Sequence, residues 1–208
     1  MFFPTLFTTT AITITACSAA AVLPPRAPGE STSNTFRLSV NVTRFDLTPS
    51  LQGQQVGYAT TTTGDDCLAD LVLASSPGAI FYQTGDPSTV HLAGGPNAGA
   101  GVVVTPGGTA TVPSLNTVQL QCGNASAGVA VVAPDPSSST VDLQFGGAGS
   151  GWMACPLADG AVVLRFRSAG QRTIAGCADV QLLPVCEEAA AEPAPPQDSV
   201  ATTCYTGL

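Results

Sequence analysis

The sequence predicts an all-β protein, an antiparallel β-sandwich or barrel, on three observations. Apolar residues fall in a dozen short runs, several alternating with polar residues at the two-residue period of a half-buried strand. Turn-forming tripeptides separate these runs at intervals of roughly 8–15 residues, the spacing of sandwich and barrel folds. No stretch sustains the 3.6-residue period of a long helix. Twelve strands would also suit a β-trefoil, although no threefold repeat is visible.

In order, the runs begin with FRLSVNV (36–42), QQVGYATT (54–61) and ADLVLAS (69–75). Ser76-Pro77-Gly78 leads to AIFYQ (79–83), Gly85-Asp86-Pro87 to STVHLA (88–93), and Gly94-Gly95-Pro96 to AGVVVTP (100–106). Pro106-Gly107-Gly108 precedes TVQLQC (117–122), AGVAVVA (127–133) follows, and Asp135-Pro136 precedes TVDLQF (140–145). Pro fixes φ and Gly permits positive φ, so these breaks suit turns. In TVDLQF, Val141, Leu143 and Phe145 share one face and Asp142 and Gln144 the other. WMACPL (152–157), AVVLRF (161–166) and ADVQLLPVC (178–186) complete the series. In 162–167, Val162, Leu164 and Phe166 oppose Val163, Arg165 and Arg167. Val141, Leu143, Phe145, Leu164 and Phe166 are the expected core.

The 208 residues suit one domain with a proper core. A net charge of −8, with six Arg and no Lys, argues against nucleic acid and against anionic membrane surfaces as partners. Residues 1–20 are apolar and small, contain no acidic residue and end in Ser18-Ala19-Ala20, as a cleaved signal peptide does. They are too rich in Thr to span a bilayer well, and no basic stop-transfer flank follows. Ile14-Thr15-Ala16-Cys17 looks like a bacterial lipidation site, but the uncharged start counts against it. The expectation is therefore a secreted protein, extracellular or in the cell wall, with no membrane partner. A Pro-rich leader, expected to be disordered, spans 21–35. The β domain spans 36–186, and an acidic Ala/Pro-rich tail with a terminal Cys spans 187–208.

Without Cys17 six cysteines remain: Cys67, Cys122, Cys155, Cys177, Cys186 and Cys204. An even number in a secreted chain implies disulfides. Zinc would need more than the single His91, and no Cys-x-x-Cys pair exists. Cys204 has an economical role in tying the tail back to the body; a frayed tail is the alternative. Asn41-Val42-Thr43 and Asn124-Ala125-Ser126 are N-glycosylation sequons.

Catalytic groups are sparse. No Ser has Gly at both flanking positions of a Gly-x-Ser-x-Gly elbow. His91, the sole conventional general base, sits between Val90 and Leu92 and reads as a structural or surface strand residue. Asp65, Asp66 and Asp70 cluster by Cys67; a solvated turn explains them better than a glycosidase pair or loose calcium binding. GGPNAGAG and GGAGSG read as turns rather than phosphate loops. No catalytic residue, cofactor or metal is assigned, and the chain is read as non-enzymatic. Trp152 and Tyr58, with Tyr82 and Tyr205, could supply flat faces for sugar rings, so Trp152 and Tyr58 are the candidate glycan contacts. For Trp152, core packing beside Cys155 is the plainer account.

The segments GDDCLADLVLASSPGAIFYQTGDPSTVHLA, GWMACPLADGAVVLRF, IAGCADVQLLPVC and TTCYTGL carry a family pattern. Cys67 precedes Phe81-Tyr82, Ala154-Cys155-Pro156 follows a Gly/Trp segment, Cys177 opens an apolar strand, and Cys204 adjoins Tyr205-Thr206. In these patches the chain resembles the phialide cell-wall protein (PhiA-like) family of filamentous fungi, small secreted proteins related to an uncharacterised fungal set. It departs from that family in lacking a Cys near the mature amino terminus and in a middle, 94–150, rich in Gly, Ala and Val. Cys122 and Cys186 look like additions to the pattern and are expected to pair with each other. Cys67 or Cys155 would then pair with Cys177. The resemblance implies a fungal wall or extracellular structural protein linked to conidium-bearing cells, its partners wall polysaccharide or wall proteins. A secreted glycan- or host-protein-binding module, effector or allergen-like, is the alternative.

Overall fold

A computed structural model describes residues 29–60, 67–74, 77–107, 115–132, 140–187, 194 and 196–208. Among them are fourteen strands and no helix, so the protein is all-β. The strands are β1 (Gly29–Ser33), β2 (Phe36–Arg44), β3 (Gln55–Thr60), β4 (Leu68–Ala74), β5 (Phe81–Gln83), β6 (Val90–Leu92) and β7 (Gly101–Thr105), then β8 (Asn116–Gln121), β9 (Ala130–Val132), β10 (Asp142–Gln144), β11 (Gly151–Pro156), β12 (Val162–Arg167), β13 (Ala178–Cys186) and β14 (Thr202–Thr206). Each of the twelve expected runs overlaps one strand from β2 to β13. The expected signal segment 1–20, residues 21–28 of the expected leader, Asp65 and Asp66 lie outside the described residues.

Twelve strands form one sheet in the order β1-β14-β13-β11-β12-β4-β3-β2-β5-β6-β7-β8. This sheet closes on itself, because β2 also pairs with β13 and β8 pairs with both β4 and β12. Closure removes edges that would otherwise expose unpaired backbone groups. The β2–β13 ladder matches Phe36 to Cys186, Leu38 to Pro184, Val40 to Leu182 and Val42 to Val180. Cross-strand partners share a face. Phe36, Leu38, Val40, Val180 and Leu182 accordingly all lie in the main core. β9 and β10 form a separate antiparallel pair. It is pinned to the body by Trp152 Nε1 donating to the Leu143 carbonyl at 2.6 Å and by the buried Val141 N–H donating to the Tyr205 hydroxyl at 2.8 Å.

The amino-terminal end of the described chain departs from expectation. Gly29–Ser33, assigned to a disordered leader, form β1, which pairs antiparallel with β14 over five residues. β1 is almost wholly exposed and has no apolar alternation, so its order comes from the backbone ladder its partner supplies. The tail is tied back to the body as expected, and it adds a strand there. β14 runs parallel to β13, and Thr202, Cys204 and Tyr205 are buried. Arg37 pairs with Glu187 at 2.6 Å at the point where the tail leaves β13.

The six cysteines form three disulfides: Cys67–Cys122, Cys155–Cys177 and Cys186–Cys204. The Cys155–Cys177 bond and the return of Cys204 to the body match expectation. The Cys122–Cys186 pairing does not occur. The β4–β8 register sets Leu68 opposite Gln121, so Cys67 meets Cys122 one step further along the same ladder. Loops of 55, 22 and 18 residues are closed. In the chain-entropy account each closure contributes about 3–4 kcal/mol.

Val141, Leu143, Leu164 and Phe166 are buried as expected, whereas Phe145 is only half-buried. Val163, expected on an outer face, is also buried. Its cross-strand partner Cys155 belongs with Met153 and Cys177 to a second small core, and Ile174 packs on it. The β11–β12 pair is thus covered on both faces.

Leu182 is fully buried and Leu157 is 40% exposed. Leu182→Ala should lower unfolding free energy in urea by about 2–5 kcal/mol. Leu157→Ala should shift it by no more than about 0.5 kcal/mol. Equal effects would mean that β13 does not turn Leu182 inward.

Candidate functional site

A cleft of about 470 Å³ opens between β10 with its following loop and the upper part of the β2–β13 ladder. That volume is within the range of small-ligand sites. Thr43 of β2 and Asp179 and Gln181 of β13 line one side, and Asp142, Gln144 and Phe145 line the other, with Trp152 and Phe166 also in its wall.

Local sequence builds this shape. β10 turns Leu143 inward and leaves Asp142 and Gln144 toward solvent. The chain then reverses at Gly146, whose φ of 72° a side chain would strain and whose missing Cβ would lie 3.2 Å from the Phe166 ring. Ser150 Oγ closes the loop by donating to the Phe145 carbonyl at 2.6 Å. Arg167 Nη1 donates to the Gly149 carbonyl at 2.9 Å and holds the loop's far end. Phe166 meets both Phe145 and Trp152 edge-on, at 5.1 Å between ring centres in each case, a favoured aromatic geometry.

Asp179 is the electrostatic hub. It is 5% exposed, and its carboxylate accepts from Arg44 Nε at 3.1 Å, Arg167 Nε at 3.4 Å and Thr173 Oγ1. Three donors compensate a buried charge that would otherwise be costly. Asp142 differs. Gln144 Nε2 donates to it at 2.8 Å, and no other side chain does so among the described residues. Burial pushes the Asp142 carboxyl above its ordinary value, against the opposing pull of the Gln144 bond. Counting Arg44, Arg167, Asp142 and Asp179, the formal charges around the cleft cancel.

Of the expected glycan contacts, Trp152 is 4% exposed and reaches the cleft only as part of its wall. It packs in the main core with Phe166, whereas Cys155, three residues along the strand, faces the opposite side. Tyr58 is half-buried on β3 beside Gly95 and does not line the cleft. The two are not brought together. Tyr82 is buried and stacks on His91 with ring centres 5.4 Å apart. His91 is a strand residue, as read. Its Nδ1 contacts the Gly99 carbonyl at 3.1 Å and its Nε2 the Thr89 hydroxyl at 2.8 Å, so a neutral ring protonated at Nδ1 satisfies both. Asp70 accepts from Gln119 Nε2 at 2.9 Å across the β4–β8 pair.

Asn124 lies in an exposed turn after β8. Asn41 is half-buried on β2, donating to Gln181 Oε1 at 2.9 Å and accepting from Gln52 Nε2 at 3.3 Å. Among the described residues no group of three or more His, Cys, Asp or Glu could hold a metal ion. No helix there is long and apolar enough to cross a membrane.

Sequence reasoning did not single out the cleft residues Thr43, Asp142, Gln144, Asp179 and Gln181 as a site. The alternation of 140–145 did place Asp142 and Gln144 away from the core. Nothing in the sequence showed that this outer face looks across at β13.

Residues 33–186 match a protein family described as a domain of unknown function, DUF7907. No curated protein and no solved structure matches the chain.

A carboxyl whose folded pKa is raised opposes folding at neutral pH, and the penalty is relieved as pH falls through the folded value. Asp142→Asn should therefore raise Tm at pH 7, with the difference shrinking as pH falls through the raised folded value and gone below about pH 4, where the carboxyl is protonated in folded and unfolded chains alike. A lower Tm at pH 7, measured by thermal unfolding, would mean that the charge is stabilised by its surroundings.

Proposed function

The chain belongs to the DUF7907 family, and we propose that it is a secreted, non-enzymatic component of a fungal cell wall or extracellular matrix. The observation that carries this reading is the covalent plan. Three disulfides tie β4 to β8, β11 to the 168–177 loop, and β13 to β14, a pattern suited to oxidising, extracellular surroundings. The signal-like first 20 residues and the exposed sequon at Asn124 agree with export.

The non-enzymatic part is supported by how the reactive groups are engaged. Both His91 ring nitrogens are occupied by Thr89 and Gly99. Glycoside hydrolysis requires two carboxylates working as a pair. Of the two in the cleft, Asp179 is already bound to two arginines and a threonine. The link to the wall, and to conidium-bearing cells, rests on the resemblance to the phialide cell-wall proteins. A secreted module that binds glycan or a host protein is the second reading, favoured by the cleft itself.

Fractionation of the native protein between culture medium, detergent-extracted wall and residual wall matrix tests the proposal. Retention in the wall after hot detergent is the expected result. Recovery almost wholly in the medium would overturn the wall role and favour the binding-module reading.

A further inference from the structure

We propose that the cleft between β10 and the β2–β13 ladder binds a neutral saccharide chain, with Thr43, Asp142, Gln144 and Gln181 hydrogen-bonding its hydroxyls and Phe145 meeting an apolar sugar face. The inference rests on the extracellular reading above and gives it a ligand.

The chemistry narrows by elimination. An anion would need a net positive charge, but the Arg44 and Arg167 charges are offset by their partner Asp179 and by Asp142. A metal would need more ligands than the described residues bring together. A purely apolar ligand would strand Thr43, Asp142, Gln144 and Gln181 against a surface that cannot bond them. What remains complementary is a molecule with many neutral donors and acceptors and some apolar faces.

The polar groups suit such a molecule. A carboxylate accepts about four hydrogen bonds; among the described residues Asp142 receives one side-chain donor, from Gln144, and its partial burial makes further donors valuable. Each glutamine amide both donates and accepts, as a hydroxyl does. Phe145 supplies the apolar element. By periodicity it belongs to the core, yet it is only half-buried because it lines the cleft, and its edge contact with Phe166 fixes the ring.

A second aromatic lies next to this wall. Phe45 is 64% exposed and holds a φ of 58°, rare for a bulky residue and costly. Asp46 sets the turn beyond it, accepting from the Leu47 and Leu51 N–H groups and from the Ser50 hydroxyl. The Arg44 guanidinium that binds Asp179 lies 5.3 Å from the Phe45 ring centre. A strained, exposed ring two residues beyond the cleft-lining Thr43 is placed to extend the site along a longer chain.

Trp152 is the sole tryptophan and lines the cleft, so its emission reports occupancy. The full protein would be titrated with the hexaoses of glucose, mannose and N-acetylglucosamine, each also as its disaccharide. The expected result is saturable change with at least one hexaose, weakened about tenfold in Asp142→Asn and in Gln181→Ala, the effect of losing one strong hydrogen bond. Phe45→Ala should weaken the hexaose and leave the disaccharide unchanged. Thermal unfolding of each variant would verify that it is folded. No saturable change with any hexaose, or binding indifferent to both cleft variants, would overturn the proposal. A wall-retained protein that ignores every hexaose would sink the cleft and spare the wall role; hexaose binding by a protein confined to the medium would do the reverse.

Discussion

The structure depends on one ladder. β2 and β13 are separated by more than 130 residues of chain, yet they pair over eight register positions and close the sheet. The ladder's inward residues, Phe36, Leu38, Val40, Val180 and Leu182, join the main core. Its outward and terminal residues, Thr43, Asp179 and Gln181, form one wall of the cleft. Core and candidate site are two faces of the same pairing. Displacing β13 would therefore disturb both.

One disulfide is anchored at the end of this ladder and another flanks it. Cys186–Cys204 brings β14 beside the end of β13, and β14 in turn gives β1 a partner. The Tyr205 hydroxyl then receives the Val141 N–H at the start of β10, so the tail helps seat the opposite wall of the cleft. On the other side, Cys155–Cys177 holds the 168–177 loop, which supplies Thr173 to Asp179. Covalent ties at both flanks thus limit how far the cleft can deform, and a preformed site loses less free energy to ordering on binding.

Much of the fold was legible in the sequence because twelve strands announce themselves by apolar runs and turn residues. β1 and β14 were not. Gly29–Ser33 has no apolar residue, and its strand state is created by pairing with β14, at the far end of the chain. The Cys67–Cys122 bond depends on the β4–β8 register, which spacing along the chain does not encode. Periodicity assigned Phe145 correctly to the inward side of β10 but could not reveal that a cleft interrupts the core there. The site was least legible for the same reason. Thr43, Asp142 and Gln181 look like ordinary solvent-facing strand residues until the β2–β13 ladder and the pinned β9–β10 pair bring them to opposite sides of one cleft. Trp152, the most conspicuous residue by type, serves mainly as packing.

Because β2 and β13 close the sheet and turn five residues into the main core, their ladder is the last element to open, and the cleft is preformed on a rigid wall. Amide hydrogen exchange of the native protein tests it most directly. The hydrogen-bonded amides of β2 and β13 should exchange together and only through global unfolding, while the 145–151 loop exchanges sooner. Exchange of β13 ahead of β4, β8 and β12 would contradict it, and would make the closed sheet and its cleft a secondary feature of some other core.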